Sequence, residues 1–372
     1  MNYEALFAER VGRVEFSGIR KFFEMAARMT NPCDLSIGQP DYDAPPAVKQ
    51  AAVDAILAGH NRYTPTAGLP ALRERIVAEV RRETGVDTSV LITSGVSGGL
   101  ALALLALVNP GDEVVFADPY FISYLQLVRM LGGTPVPVAT YPDFAFDAAR
   151  FDAAITSRTK ALIINSPGNP TGRVMTEAEV KSAAELARKH GIVLISDEIY
   201  EGLCYDRPTP CPVNLAPDQT LLLRGFGKTH GVTGWRIGYA AGPEPLIHEM
   251  VKFQQFTYVC APAPVQHASL VAMDTDVSIH RREYAEKRDL VCRLLSRAFE
   301  FERPGGGFYV FPKAPARHPT GTKLAIAALE REVLVIPGEV FSGRDTHFRI
   351  SYATSDAQLR RGCDALCSLA DG

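Results

Sequence analysis

The stretch ALIINSPGNPTGRVMTEAEVKSAAELARKHGIVLISDEIY, residues 161–200, decides the fold. It opens on a short apolar run, ALIINS (161–166), and turns through Pro and Gly. It then enters a charged, alanine-rich helical segment, TEAEVKSAAELARKHG (176–191), and ends on a second apolar run, IVLISD (192–197). Strand, helix, strand, with nearly continuous apolar strands, predicts a parallel sheet covered on both faces. Working outward, the same reading places strands at SVLIT (89–93), EVVFAD (113–118), TLLLRG (220–225) and RIGYAA (236–241). A helix is expected from about Pro46 to Gly59, and NRYTPTAGLPALRERIVAEVRRETG (61–85) reads as a loop entering an amphipathic helix. SGVSGG (94–99) reads as a Gly/Ser turn opening the apolar helix Leu100–Val108.

Beyond residue 245 the pattern becomes helical, and SIHRREYAEKRDLVCRLLSRAF (278–299) reads as a long connector between domains. The tail carries strands near FYVFP (308–312), VLVIP (333–337) and FRISYA (348–353), and a final helix. The start, residues 1–44, mixes a polar helix-like segment with the turn IGQPDYDAPP (37–46). The expected architecture is α/β. A large domain of residues 45–275 carries a mostly parallel sheet, and a smaller α+β domain is built from residues 1–44 and 276–372.

Composition narrows the class of function. The chain has 372 residues, 47% hydrophobic and 22% charged, which excludes a disordered or fibrous chain. Lys and Arg number 39 against 42 Asp and Glu, a formal charge of −3, so there is no electrostatic footprint for nucleic acid or an anionic membrane. The uncharged run 88–111 is long enough to span a bilayer, but Thr93, Ser94, Gly95, Ser97, Gly98 and Gly99 break it. Seven cysteines (33, 204, 211, 260, 292, 363 and 367) form no C-x-x-C pair and no zinc pattern. Scattered free thiols and a charged N-terminus without an apolar leader core predict a cytoplasmic protein.

In an open parallel sheet, ligands bind beyond the carboxyl ends of the strands. SVLIT runs into SGVSGG, EVVFA into DPYFISY, ALIINS into PGNPTG, IVLIS into DEIY, and TLLLR into GFGKTHG and then GWR. One rim thus collects a Gly/Ser segment suited to a phosphate, an aromatic, Asn169, Asp197 with Tyr200, Lys228 and Arg236. Each has a plain structural reading as a turn, a cap or a solvated charge; together they ask for a common one. A partly desolvated Lys228 would have a lowered pKa and a free lone pair able to attack a carbonyl. Asp197 at low dielectric needs a cation; Asp197-Glu198 as half a metal site has no histidine cluster to complete it. Arg236 can clamp a phosphate through its planar fork. Arg349, a charge inside the apolar strand FRISYA, implies an anion at the strand edge.

The combination SPGNPTG (166–172), SDEIY (196–200), GFGKTHGVTGWRIGY (225–239) and FRISYA (348–353), in that order, resembles the class I/II aminotransferases of the fold-type I pyridoxal-phosphate family. LSIGQPDYDAP (35–45) and RYTPTAGLPALRERI (62–76) look like that family's opening motifs, so the likeness runs from about residue 17 to 365. The resemblance implies a three-layer PLP-dependent transferase-like fold, pyridoxal 5'-phosphate as cofactor, and transfer of an amino group from an L-amino acid to a 2-oxo acid. Carried over by position, Lys228 would form a Schiff base with the cofactor and then shuttle a proton. Asp197 would pair with the pyridine nitrogen. Tyr200 and Asn169 would hydrogen-bond the phenolic oxygen, and Phe121 would stack on the ring. Gly95, Val96, Ser97 and Arg236 would hold the phosphate. Tyr63 would reach the phosphate of a neighbouring subunit, which implies a homodimer. Arg349, with Asn169 and the Gly38 backbone, would grip the substrate carboxylate. The family's usual S-x-S-K is Gly225-Phe226-Gly227-Lys228 here, so two phosphate-binding hydroxyls are missing.

Four other readings compete. The same fold and lysine serve PLP-dependent C–S β-lyases. A serine hydrolase could use Ser97 in Gly95-Val96-Ser97-Gly98-Gly99 with Asp197 and His230, His267 or His347; that leaves Lys228, Asn169, Arg236 and Arg349 without a role. A P-loop before Lys228-Thr229 would need glycine at 222, which is Leu222. A non-catalytic PLP-fold domain of a regulator would need a DNA-binding head and no intact Lys228.

Overall fold

The computed structural model describes residues 1–16, 18 and 29–371. Twelve strands are described in chain order: β1 (Cys33–Asp34), β2 (Ser89–Thr93), β3 (Glu113–Asp118), β4 (Thr134–Ala139), β5 (Thr159–Asn165), β6 (Val193–Asp197), β7 (Thr220–Gly225), β8 (Gly238–Gly242), β9 (Tyr309–Val310), β10 (Val333–Leu334), β11 (Ile336–Pro337) and β12 (Phe348–Ser351). A seven-stranded sheet has the order β2-β8-β7-β6-β5-β3-β4, with β8 antiparallel to both neighbours and the other pairs parallel. The α/β class with a mostly parallel central sheet is what the apolar strand runs predict.

Strand alternation sorts the core. Leu91, Ile163, Ile195, Leu221, Leu223 and Ala240 point to one face, packed under the helix Gly95–Leu107. Val90, Ile92, Leu222 and Ala241, and further along Leu162, Ile164 and Leu194, point to the other. That face is covered by Pro70–Thr84 at one end of the sheet and Glu177–His190 at the other. The latter begins on a capping box between Thr176 and Glu179 and ends on left-handed Gly191, so its limits are locally encoded.

One strand is added to the sequence reading and three local expectations are corrected. TPVPVA (134–139), which the sequence reading leaves unassigned, forms the edge strand β4 despite its two prolines. Its Pro135 and Pro137 share a parity opposite to Thr134, whose amide bonds Asp112, so the residues lacking N–H face away from the ladder. SGVSGG is not a turn before a helix; the helix starts at Gly95, whose φ of +70° makes the reversal. RIGYAA begins two residues late as β8, because Arg236 sits at φ 52° in the left-handed region. VLVIP is two strands: β10 pairs with β1 in parallel, and β11 pairs with β12 antiparallel. In the polar start, Glu4–Leu6 and Glu9–Arg13 are short 3₁₀ turns, and residues 17 and 19–28 of that segment lie outside the described residues.

The second sheet, β11-β12-β9, is antiparallel and packs an aromatic core of Phe308, Phe311, Phe341, Phe348 and Tyr352 against the helices Ser278–Leu295, Gly321–Leu329 and Asp356–Asp371. The chain near the start joins it, because the Leu35 amide bonds the Leu334 carbonyl and Leu35 accepts from the Ser351 amide.

Behind the large sheet, Arg224 on β7 binds two carboxylates. Its Nε and Nη2 donate to Glu198 Oε2 at 2.9 and 2.7 Å, and its Nη1 and Nη2 donate to Glu83 at 2.6 and 2.8 Å. Glu198 is only 1% exposed. Burial pushes its carboxyl up to about 7 against the pull of Arg224. This pairing also removes Glu198 from any metal site with Asp197. Removing the guanidinium strands a buried carboxylate, so Arg224→Met should cost about 3–5 kcal/mol in urea unfolding, and adding Glu198→Gln should recover much of it.

Candidate active site

Five strand ends and the loop before β8 open onto a cavity of about 560 Å³. Gly38, Gly95, Val96, Ser97, Phe121, Asn169, Asp197, Tyr200, Lys228, Arg236 and Arg349 all line it. Of the residues carried over from the family resemblance, Tyr63 alone lies elsewhere. It is 84% exposed on the loop that precedes the helix Pro70–Thr84.

Lys228 is the third residue of a single helical turn, Phe226–Thr229, launched from the end of β7. Tyr42 Oη donates to the Lys228 carbonyl at 2.7 Å and ties that turn to the N-terminal segment. The lysine Nζ donates to the Gly38 carbonyl. Burial, reinforced by Arg349 and Arg236, lowers the amine to about 8, while Asp197 opposes the shift. At neutral pH roughly a tenth of such an amine is uncharged, far more than for an ordinary lysine.

Asp197 ends β6 and is 3% exposed. Its Oδ2 accepts from Tyr124 Oη at 2.6 Å and its Oδ1 from the Ile199 amide at 3.3 Å. Burial raises the carboxyl to about 6 despite these donors and Lys228. Asn165 supports the strand end: its Nδ2 donates to the Asp197 carbonyl at 2.9 Å, and its Oδ1 accepts from the Asn169 amide at 2.9 Å. Tyr200 Oη donates to Tyr309 Oη at 3.3 Å.

Two arginines line the cavity. Arg349 is 2% exposed. Its Nη1 donates to Asn169 Oδ1 at 3.0 Å and its Nη2 to the Ser36 carbonyl at 2.8 Å, while Nε is buried without a partner. Its guanidinium lies 4.3 Å from the Tyr309 ring centroid and 4.7 Å from that of Phe341. Neither neighbour neutralises it. Arg236 donates to the Thr233 carbonyl at 3.1 Å and meets no carboxylate among the described residues. Gly95 has a positive φ, which glycine adopts freely, and a Cβ built there would stand 3.0 Å from Arg236 Nη2, so its bare Cα lies against that guanidinium.

The serine-hydrolase reading fails on this geometry. Ser97 is exposed and, among the described residues, no histidine bonds it. His230 Nε2 bonds the Ala272 carbonyl, His267 stacks on His60, and His347 stacks on Phe311. Sequence reasoning missed Tyr124, Asn165 and Tyr309. Tyr124 and Tyr309 sit in apolar runs and read as core; a phenol hydroxyl that needs a buried partner was the available signal. Asn165 looked like part of a strand.

The Asp197 carboxyl is protonated in the fold up to about pH 6 but ionises near its ordinary 3.8 in the unfolded chain. The unfolded chain binds fewer protons between these values, so stability falls as pH rises through them. In ligand-free preparations, Asp197→Asn should therefore be about 2–3 kcal/mol more stable than the parent at pH 7, with the gap closing by pH 4 in urea titrations.

The profile of the family described as "Aminotransferase class I and II" matches residues 30–366. The putative aminotransferase YugH of Bacillus subtilis is 37% identical over 367 residues, 95% of each chain. The aspartate/prephenate aminotransferase of Thermus thermophilus is 37% identical over 356 residues, 92% of each. Among solved structures, the Thermus thermophilus aspartate aminotransferase with maleate superposes at TM-score 0.94 with 36% identity, covering 98% of this chain and 99% of that one. The Rhizobium meliloti aspartate aminotransferase does so at 0.93 with 33% identity, covering 98% of each. These names favour transamination over the C–S lyase reading. The chain is an enzyme of the transferase class and belongs to the class I and II aminotransferases.

Proposed function

We propose that the cavity binds pyridoxal 5'-phosphate and that Lys228 carries the chemistry of amino transfer between an L-amino acid and a 2-oxo acid. One observation carries the reading: a desolvated amine shares one cavity with two arginines that have no carboxylate partners among the described residues, and with a buried carboxyl. The residues fit the cofactor. Among the described residues no cation hydrogen-bonds Asp197, which suits a protonated ring nitrogen. The orphaned Arg349 Nε suits a carboxylate, and the glycine cradle beside Arg236 suits a phosphate.

When bound, pyridoxal phosphate supplies an aldehyde carbon that condenses with amines and a ring that draws electrons from the substrate Cα. Arg236, with Gly95, Val96 and Ser97 at the helix N-terminus, holds the phosphate. Phe121 covers the ring, and Tyr200 and Asn169 orient its phenolic oxygen. Asp197 keeps the proton on the ring nitrogen. Arg349, with Asn169 and the Gly38 segment, would anchor the α-carboxylate in the cavity that Lys228 lines, and the Lys228 amine would take and return the Cα proton.

The exposed Tyr63, with exposed Leu57 and Phe256, supports a homodimer in which Tyr63 reaches the partner's phosphate. Residues 45–275 act as the large domain, and residues 1–44 and 276–372 as the small one that closes on substrate. Seven free cysteines, five of them buried, suit a reducing compartment such as the cytoplasm. Among the described residues no helix is long and apolar enough to cross a membrane.

Reductive trapping with borohydride and peptide mapping should place a pyridoxyl group on Lys228, and Lys228→Ala should abolish turnover; labelling elsewhere, or none, overturns the reading. A panel of amino acids that bleach the bound cofactor's colour identifies the donor. A serine Cβ at 227 would meet nothing nearer than Thr233 Cα at 3.6 Å, whereas at 225 it would meet the Ile237 carbonyl at 3.1 Å. Gly227→Ser should therefore tighten cofactor binding about tenfold, the worth of one hydrogen bond to a charged group, and Gly225→Ser should gain less. Equilibrium dialysis of pyridoxal phosphate measures both.

A further inference from the structure

We infer that Tyr124 is a positioning residue for Asp197, its hydroxyl fixing one carboxylate oxygen so that the other is presented to the cofactor's ring nitrogen. The inference rests on the reading of the cavity as a pyridoxal phosphate site. Tyr124 lies in the first turn of the helix Ile122–Met130, which begins directly after Phe121. Its Oη reaches Asp197 Oδ2 at 2.6 Å, and the two residues are 2% and 3% exposed. A short bond from a phenol to a buried carboxylate is strong, because the acceptor is charged or shares the proton at low dielectric.

The two oxygens of Asp197 are therefore unequal. Oδ2 is taken by a side-chain donor at close range. Oδ1 receives only the Ile199 amide at 3.3 Å and keeps capacity for a further donor. Rotation about the Cβ–Cγ bond of an aspartate is soft, so without the phenol the carboxylate could turn and offer neither oxygen reliably. The Tyr124 ring has packing partners of its own besides the hydroxyl's bond. That ring packs edge-on against Phe121, with centroids 5.7 Å apart at 86°, and against Phe116 at 5.9 Å and 61°. One side chain thus braces both the ring-covering aromatic and the carboxylate, and Tyr124→Phe removes the second role while keeping the first.

Loss of the hydroxyl has a definite electrostatic sign. The charged and titratable groups that face Asp197 are Tyr124, Lys228 and Tyr200. The phenol donates to the carboxylate and favours its ionised form; without it the carboxyl binds a proton more readily.

The test is a double-mutant cycle on the full-length protein, with pyridoxal phosphate retention measured by equilibrium dialysis for the parent, Tyr124→Phe, Asp197→Asn and the double variant. Tyr124→Phe should weaken binding about tenfold with Asp197 present and less than about twofold in the Asp197→Asn background. On acidification, cofactor release from Tyr124→Phe should have its midpoint about one pH unit above that of the parent. Equal weakening in both backgrounds with an unmoved midpoint would make Tyr124 a packing residue and overturn the inference, as would no weakening at all. Failure of the underlying site reading looks different: the parent itself retains no pyridoxal phosphate, or Asp197→Asn retains it as well as the parent, and both proposals then fall.

Discussion

The site depends on charges that are buried near one another without cancelling. Lys228, Arg236 and Arg349 place three cations in one cavity, and among the described residues that line it only Asp197 answers them. In water such an arrangement would be indifferent; at low dielectric each group feels the others strongly. The amine yields first, because it alone of the three cations can lose its proton near neutrality. The arginines cannot, so they remain as fixed positive ends for two anions. A ligand carrying one anion at each end and a cationic nitrogen in the middle would relieve all of these costs at once.

The scaffold supplies that arrangement through parity. Asp197 continues the register of Ile195 and faces the helix Gly95–Leu107, while Glu198 turns to the opposite face and is absorbed by Arg224. Two adjacent acids therefore meet two unrelated fates. One is held by a phenol and a long backbone bond and keeps capacity for a partner; the other is locked into a structural ion pair with Glu83 alongside. Arg224 sits four residues before Lys228, so the same strand that anchors the rear network launches the reactive turn.

The second sheet also contributes to the cavity, through Tyr309 and Arg349. Arg349 leaves β12 between Tyr309 of β9 and Phe341, and its guanidinium reaches across to Asn169 after β5 and to Ser36 near β1. Segments separated by more than three hundred residues thus meet at one side chain, and a substrate anion bound there would draw the two sheets together.

The sequence by itself determined the α/β class, the strand ends that carry chemistry, and the residue types expected at the rim, because apolar runs and turn residues act locally. Its motif order also pointed to the aminotransferase family. It did not show the edge strand β4, where prolines are tolerated only because their missing amides face away from the ladder. Nor could it show that the helix begins at Gly95, since a positive φ is set by the reversal of the whole chain there. Only the tertiary structure decided that Tyr124 touches Asp197, that Tyr309 flanks Arg349 and that Glu198 leaves the site. Those contacts join residues distant in sequence through burial, and burial is a property of the packed chain, not of any segment of it.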